Sequence, residues 1–242
     1  MLGLVCYRDA GEKNGARTLC GARFCAVYVL RGDGLRARLS AQRAAKYLQK
    51  RRVQRAAFPP DYPCADVFAH RGVLAPEEAP LRMAKGAEII LCAMAQHGLV
   101  PEGARIALVS ARPSAVLEAA AQPLVRRVRY LTLCTPDGAR LSRRLRWDHG
   151  VSAYAAAPEE TLRADLAVAF DDAAPRCGCP VLPLGDGALR VRYAAPLPQE
   201  TAGWETRQLI CALFAAGALA KEDIAVKEVK FPADRGQNAN LS

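Results

Sequence analysis

The feature that most limits the fold is an alternation of short apolar runs with helix-forming segments between residues 105 and 170. Residues 105–110 (Arg-Ile-Ala-Leu-Val-Ser), 128–134 (Val-Arg-Tyr-Leu-Thr-Leu-Cys), 151–155 and 166–170 (Leu-Ala-Val-Ala-Phe) read as strands. In 105–110 the apolar residues run together instead of alternating with polar ones, the pattern of a strand covered on both faces. Pro113 opens a helix that runs to about residue 122. Thr135-Pro136-Asp137 offers an N-cap hydroxyl, a proline at the first helical position and an acid in the first turn, and that helix stops at His149-Gly150. Residues 158–163 allow one or two further turns. Strands joined by helices over so short a span must lie parallel, linked by right-handed crossovers. An α/β fold with these four strands as neighbours in one sheet is therefore expected.

The flanking sequence is more varied. Residues 2–7 and 23–30 read as strands, separated by the polar stretch 9–15, and Arg31-Gly32-Asp33-Gly34 closes the second. Residues 35–50 form a basic amphipathic helix with Leu39, Ala44, Tyr47 and Leu48 suited to one face. A short strand is expected over 53–58, and a helix over 81–96 stopped by Gly98. Segments 181–184 and 189–193 flank Gly185-Asp186-Gly187 as a hairpin. A helix over 199–220 carries Trp204, Leu209, Ile210, Leu213, Phe214 and Gly217 at helical spacing, and a last strand covers 224–231. So much apolar surface must be covered. The expectation is that this helix packs back on the N-terminal half, with a homodimer seam as the alternative.

Composition bounds the rest. The chain has 242 residues, 51% hydrophobic and 24% charged, which excludes disorder over most of its length. Sixteen prolines and 18 glycines argue against a coiled coil. No signal peptide and no apolar run of membrane-spanning length is read, so a cytoplasmic protein is expected. Nine cysteines, an odd number, fit free thiols in a reducing compartment. The net charge of +10 is carried mainly by arginine. Codon usage in a GC-rich genome would also give that bias. Yet the charge is concentrated: residues 35–60 hold eight basic residues and no acid, and 125–147 hold seven with Asp137 as the one acid. The helix and its extension over 35–55 are thus a candidate for phosphate contacts with nucleic acid.

On the order of its elements, the segment 101–195 resembles a dinucleotide-binding Rossmann domain. The whole arrangement, closed by a long helix, is similar to the shikimate-dehydrogenase-like oxidoreductases. The resemblance implies a Rossmann-like parallel sheet over 101–232, a smaller mixed α/β part over 1–100 and a polar tail at 233–242. It also implies NAD or NADP bound beyond the carboxyl ends of the strands, over the first strand–helix turn. Here that turn is Ser110-Ala111-Arg112-Pro113-Ser114-Ala115, with none of the three glycines of the fingerprint. Each Cβ obstructs a diphosphate and Pro113 removes one amide donor. Arg112, Ser110 and Ser114 are the remaining groups that could meet an anion. Asp137, where a ribose-binding acid would stand, is read as stabilising its own helix. No cofactor is expected, with NAD or NADP as the alternative. The family's catalytic lysine and aspartate find no matching motif around Lys46, Lys50 or Lys85.

Other groups remain as candidates. Asp171-Asp172 follow the fourth strand and could serve a metal or a ribose, or simply open a turn before Pro175. Cys177-Gly178-Cys179 is spaced too tightly for a zinc knuckle even with Cys20 and Cys25 as a second pair, so no metal is expected. His97 and His149 sit at helix ends, where they complement the dipole. His70, in the loop-like Phe68-Ala69-His70-Arg71-Gly72, is the histidine best placed for a site. The functional expectation is a non-catalytic binding or assembly protein with a degenerate cofactor loop, partnered by a small molecule or a protein. The alternatives are an NAD(P)-dependent oxidoreductase and a nucleic-acid-associated protein.

Overall fold

A computed structural model describes residues 1–9, 12–185 and 189–231. The expected turn residues Asp186 and Gly187 and the tail 233–242 lie outside the described residues. By its internal contacts the chain divides into two compact units. One is Met1–Leu81 with Tyr193–Ala225; the other is Arg82–Arg192 with the chain from Val226 on. The division falls at residue 81 where the sequence reading drew it at 100, and the segment 193–225 belongs with the N-terminal residues.

The first unit opens with β1 (Gly3–Tyr7), β2 (Gly15–Leu19), β3 (Ala22–Val29), α1 (Leu35–Lys50), β4 (Ala56–Ala57) and α2 (Ala65–Ala69). They build a sheet of order β2-β3-β1-β4, in which β1 runs parallel to β3 and β4 while β2 runs antiparallel to β3. The sequence reading placed no strand at β2. It forms because Cys20 and Gly21, at φ 47° and 78°, make a two-residue turn with both central residues left-handed. In α1, Ala37, Ala41, Ala44, Ala45 and Leu48 form the buried stripe. Leu39 was expected on it but is 45% exposed. Small alanines let the helix lie close against Val5, Val27 and Val29. Phe58, Tyr62 and Phe68 fill the end of this core, with Phe58 and Tyr62 stacked at 5.9 Å.

The expected helix over 81–96 is two helices, α3 (Ala79–Ala84) and α4 (Gly86–Gln96), with Lys85 as the N-cap of α4. The second unit continues through β5 (Arg105–Val109), α5 (Ala115–Leu124), β6 (Tyr130–Cys134), α6 (Gly138–His149), β7 (Tyr154–Ala156), β8 (Leu166–Ala169) and β9 (Val181–Pro183). Its sheet has the order β7-β6-β5-β8-β9, and every neighbouring pair is parallel. In terms of strand sequence this is 3-2-1-4-5, the Rossmann order, with the switch point between β5 and β8. The four expected strands are thus parallel neighbours. Ile106, Leu108, Leu166 and Val168 are fully buried in this sheet, which is why the runs of β5 and β8 carry no polar alternation.

Three expectations are corrected here. Residues 158–163 form no helix. The helix expected from Thr135 begins at Gly138, and Asp137 occupies the N-cap position. The hairpin about Gly185 does not form: β9 joins the large sheet beside β8, and β10 (Arg190–Ala194) pairs with β11 (Ala225–Lys230) in a separate two-stranded sheet.

Between those strands lies α7 (Thr206–Ala215), ten residues in place of the expected 22 over 199–220. Gln199–Thr201 makes a 3-10 turn, and the Glu205 carboxylate accepts from the amides of Arg207 and Gln208, so the α-helix starts anew at 206. Gly217 turns left-handed at φ 71° just past its end. The helix packs within the N-terminal unit as expected. Leu209, Ile210 and Leu213 are 0% exposed, covered within this unit. The Trp204 indole N–H donates to the Val5 carbonyl at 2.8 Å, and the Phe58 amide donates to Gln208 Oε1 at 3.0 Å. Among the described residues no helix is long and apolar enough to cross a membrane.

Candidate functional site

The Rossmann order directs attention to the carboxyl ends of β5, β6 and β8. The sheet ladder runs one residue past the strands there. Ser110 N–H donates to the Cys134 carbonyl, and Phe170 N–H to the Val109 carbonyl, both at 3.0 Å. Ser110 and Asp171 are thereby brought to the mouth of the first crossover loop. Ser110 is 3% exposed, and its Oγ lies 2.7 Å from the Arg112 carbonyl and 2.9 Å from Asp171 Oδ2, with one hydroxyl proton between the two acceptors. The Ala111 amide donates to both Asp171 oxygens, at 2.9 and 3.2 Å, and the Ala173 amide donates to Oδ1 at 3.1 Å.

Asp171 is thus an anion seated on the amides of the first crossover loop, beside the end of β5. Burial by itself would raise the Asp171 pKa. The donors at Ala111, Ser110, Ala173 and Arg112 outweigh it and hold the carboxyl below its ordinary range. The loop has an internal anion of its own.

The packing that delivers Asp171 depends on Gly185. A Cβ at residue 185 would stand 2.5 Å from the Phe170 carbonyl oxygen and 2.8 Å from its carbon. Gly185 is therefore a close-approach glycine, where the sequence reading had a hairpin turn. Gly138 plays a milder version of this part, its Cβ position lying 3.0 Å from the Leu133 carbonyl.

The remaining sequence candidates have other duties. Ser114 is the N-cap of α5, its Oγ accepting from the Leu117 amide at 3.2 Å. The Arg112 and Asp172 side chains are exposed at the rim. Asp137, in the ribose-acid position, pairs with Arg140 at 2.6 Å. That hydrogen bond holds its carboxyl below the ordinary range. Thr135, 4% exposed, sits between the two, with Oγ1 3.4 Å from Asp137 Oδ1 and 3.5 Å from the Arg112 carbonyl. His70 belongs to the first unit; its Nδ1 lies 2.7 Å from the Asp66 carbonyl one helical turn back, so it closes its own short helix. Of the six candidates, the structure brings Ser110 and Asp171 into direct contact and places Arg112, Ser114 and Asp172 around them.

Thiol chemistry is muted. Burial pushes the Cys6 thiol up to about 11, and burial together with Cys177 pushes Cys179 up to about 12. These remain thiols near neutral pH and are poor nucleophiles. Among the described residues no three His, Cys, Asp or Glu side chains group to hold a metal.

Besides a cleft of about 330 Å³ beside His70, two further clefts are lined by described residues of the first unit, neither singled out in the sequence reading. The larger, about 560 Å³, is lined by Phe58, Tyr62, Glu205, Arg207 and Gln208 among others. Its polar groups are mostly engaged. Glu205 caps α7, Gln208 holds Phe58, and Arg207 pairs with Glu78 at 3.4 Å. The Tyr62 hydroxyl is buried without a partner among the described residues, and burial raises its pKa. The second cleft, about 300 Å³, is lined by three arginines.

No protein-family model and no curated protein matches this chain. Solved structures do. L-tryptophan dehydrogenase from Nostoc punctiforme aligns at 13% identity and a TM-score of 0.32, over 62% of this chain and 44% of that one. Shikimate 5-dehydrogenase from Listeria monocytogenes, solved with shikimate and NAD, aligns at 8% identity and a TM-score of 0.29, over 60% and 57%. The A chain of dipicolinate synthase from Bacillus subtilis aligns at 10% identity and 0.33, over 60% and 52%. The chain thus spans about half the length of these structures. Shikimate dehydrogenases stand among the similar structures, at scores too low to assign any residue. The Rossmann-like arrangement rests on the strand order itself.

Proposed function

We propose that this chain is a cytoplasmic Rossmann-like binding protein that does not use a nicotinamide cofactor, because its own Asp171 carboxylate occupies the phosphate-binding amides. The observation that carries this reading is the pair of contacts from Ala111 N–H to Asp171 at 2.9 and 3.2 Å. A diphosphate placed there would meet a carboxylate that its donors keep ionised, and like charge at hydrogen-bond distance is strongly unfavourable. The loop lacks the glycines that let a backbone close on a diphosphate, and Pro113 offers no amide. Asp137 is held by Arg140 away from the ribose role.

Calorimetric titration of the full chain with NAD and with NADP tests the reading. No binding is expected at ligand concentrations up to about 1 mM, which corresponds to an affinity weaker than about 4 kcal/mol. A dissociation constant in the low micromolar range would overturn the reading and favour an oxidoreductase whose loop rearranges to expel Asp171.

A further inference from the structure

The arginines of the first unit fall into two sets. Some are engaged: Arg38 pairs with Asp66 at 2.7 Å, Arg55 pairs with Glu77, Arg31 stacks over Tyr7 at 4.4 Å and Arg51 over Tyr47 at 5.0 Å. Arg8, Arg36 and Arg43 are different. All three line one cleft of about 300 Å³, and none of them forms an ion pair with any acid among the described residues. Arg36, Ser40 and Arg43 recur at i, i+4 and i+7 and so share one face of α1. Arg8 faces them from the end of β1, its amide fixed to the Val29 carbonyl at 2.8 Å.

The cleft is built on a fixed frame. Ser40 Oγ accepts from the Leu30 amide at 3.3 Å and ties α1 to the end of β3; Asn14 Oδ1 accepts from the Tyr28 amide at 2.9 Å and ties in the segment before β2. It sits beyond the carboxyl ends of the parallel pair β1 and β3, where open parallel sheets present their ligands. Its other wall is apolar: Leu30 and Leu39 are 40% and 45% exposed.

We propose that this cleft binds a small phosphorylated molecule, its phosphate dianion held by Arg8, Arg36 and Arg43 and its organic part lying against Leu30 and Leu39. Three guanidinium groups lining one cleft, with no carboxylate among its described lining residues, repel one another, and a dianion relieves that repulsion. Their planar forks match phosphate oxygens in pairs. A monocarboxylate would leave two of the three charges uncompensated. The volume suits a ligand of sugar-phosphate size, near the lower end of small-molecule sites. A concave pocket with one apolar wall fits such a ligand better than a nucleic-acid backbone, which tracks an open basic stripe. The proposal concerns the first unit alone and stands or falls separately from the closed loop of the second.

Calorimetry on the full chain at low salt tests it, with glycerol 3-phosphate, inorganic phosphate and glycerol as probes. Glycerol 3-phosphate is expected to bind and glycerol to give no heat. Arg8→Gln and the double variant Arg36→Gln/Arg43→Gln should each weaken the phosphate ester about tenfold or more, consistent with loss of charge-assisted contacts. Their melting temperatures should match the parent, because all three side chains are on the surface. An ester tighter than inorganic phosphate assigns the apolar wall to the organic part; equal affinity assigns free phosphate as the ligand, and either result supports the anion site. Absence of heat with both phosphates at about 10 mM would overturn the proposal. So would undiminished binding in the arginine variants, or tighter binding of a single-stranded oligonucleotide that gains with length and survives those variants.

Discussion

At the scale of single residues, Asp171 and Gly185 decide what the second unit can do. Asp171→Ala removes the partner of the Ala111 and Ala173 amides and of the Ser110 hydroxyl. It should cost about 1–3 kcal/mol, read as a lower denaturant midpoint at unchanged slope. The pH dependence has a definite sign. The folded pKa of Asp171 lies below its unfolded value, so the carboxylate's contribution is fully present above the unfolded pKa of about 3.9 and is lost as pH falls through the lower, folded value. Stability curves of the parent and Asp171→Asn should therefore converge in acid and stay apart near neutrality. Curves that remain parallel down to about pH 2 would contradict the role given to this carboxylate. Gly185→Ala drives a methyl into the Phe170 carbonyl, and backbone cannot step aside as a flexible side chain can. A loss of about 1–3 kcal/mol is expected, the range of overpacking in a closed core. A variant as stable as the parent would show that the segment after β8 is freer than its contacts require.

Among the elements, what was legible in the sequence follows from what each strand faces. β5 and β8 are covered on both sides, so Ile106 to Val109 and Leu166 to Ala169 run apolar without interruption and announce a parallel sheet. β2 was invisible for a physical reason: its turn is Cys20-Gly21, and a cysteine at a left-handed position carries none of the Asn or Asp signal that marks such turns. Gly185 looks in the sequence like a turn glycine, while its task is to let two backbone segments touch. The final helix looks longer in the sequence than in the fold because apolar spacing continues across Trp204. In the fold Trp204 instead anchors through its indole to Val5, and Glu205 restarts the helix. Phe214, the expected core residue, is half-buried, and Leu209, Ile210 and Leu213 hold the fully buried positions. Ile210→Ala should consequently cost about 2–5 kcal/mol and Phe214→Ala less, compared by chemical denaturation. The reverse order would place the helix differently from its burial pattern. Of the candidate site, Ser110 and Asp171 could be named from strand ends alone. Their mutual contact could not, because it depends on how far β5 and β8 extend before the chain turns.

For the whole molecule, the strand order β7-β6-β5-β8-β9 is that of a Rossmann-like sheet, and the proposed reading is that one internal carboxylate closes its first crossover loop to a phosphate. Three arginines without an ion pair among the described residues line a cleft of the first unit. Scaffold and chemistry are thereby separated, since a fold of this class does not dictate a function. The basic balance of +10 acquires a local meaning only where arginines lack partners. The central claim is that Asp171, and not a dinucleotide, is the anion of the first crossover loop. A crystal structure of the chain grown with about 5 mM NADP, a concentration at which even a millimolar site would be mostly filled, tests it most directly. The account predicts the Asp171 carboxylate on the Ala111 amide with no diphosphate over residues 110–115; a diphosphate seated on those amides with Asp171 displaced would contradict it.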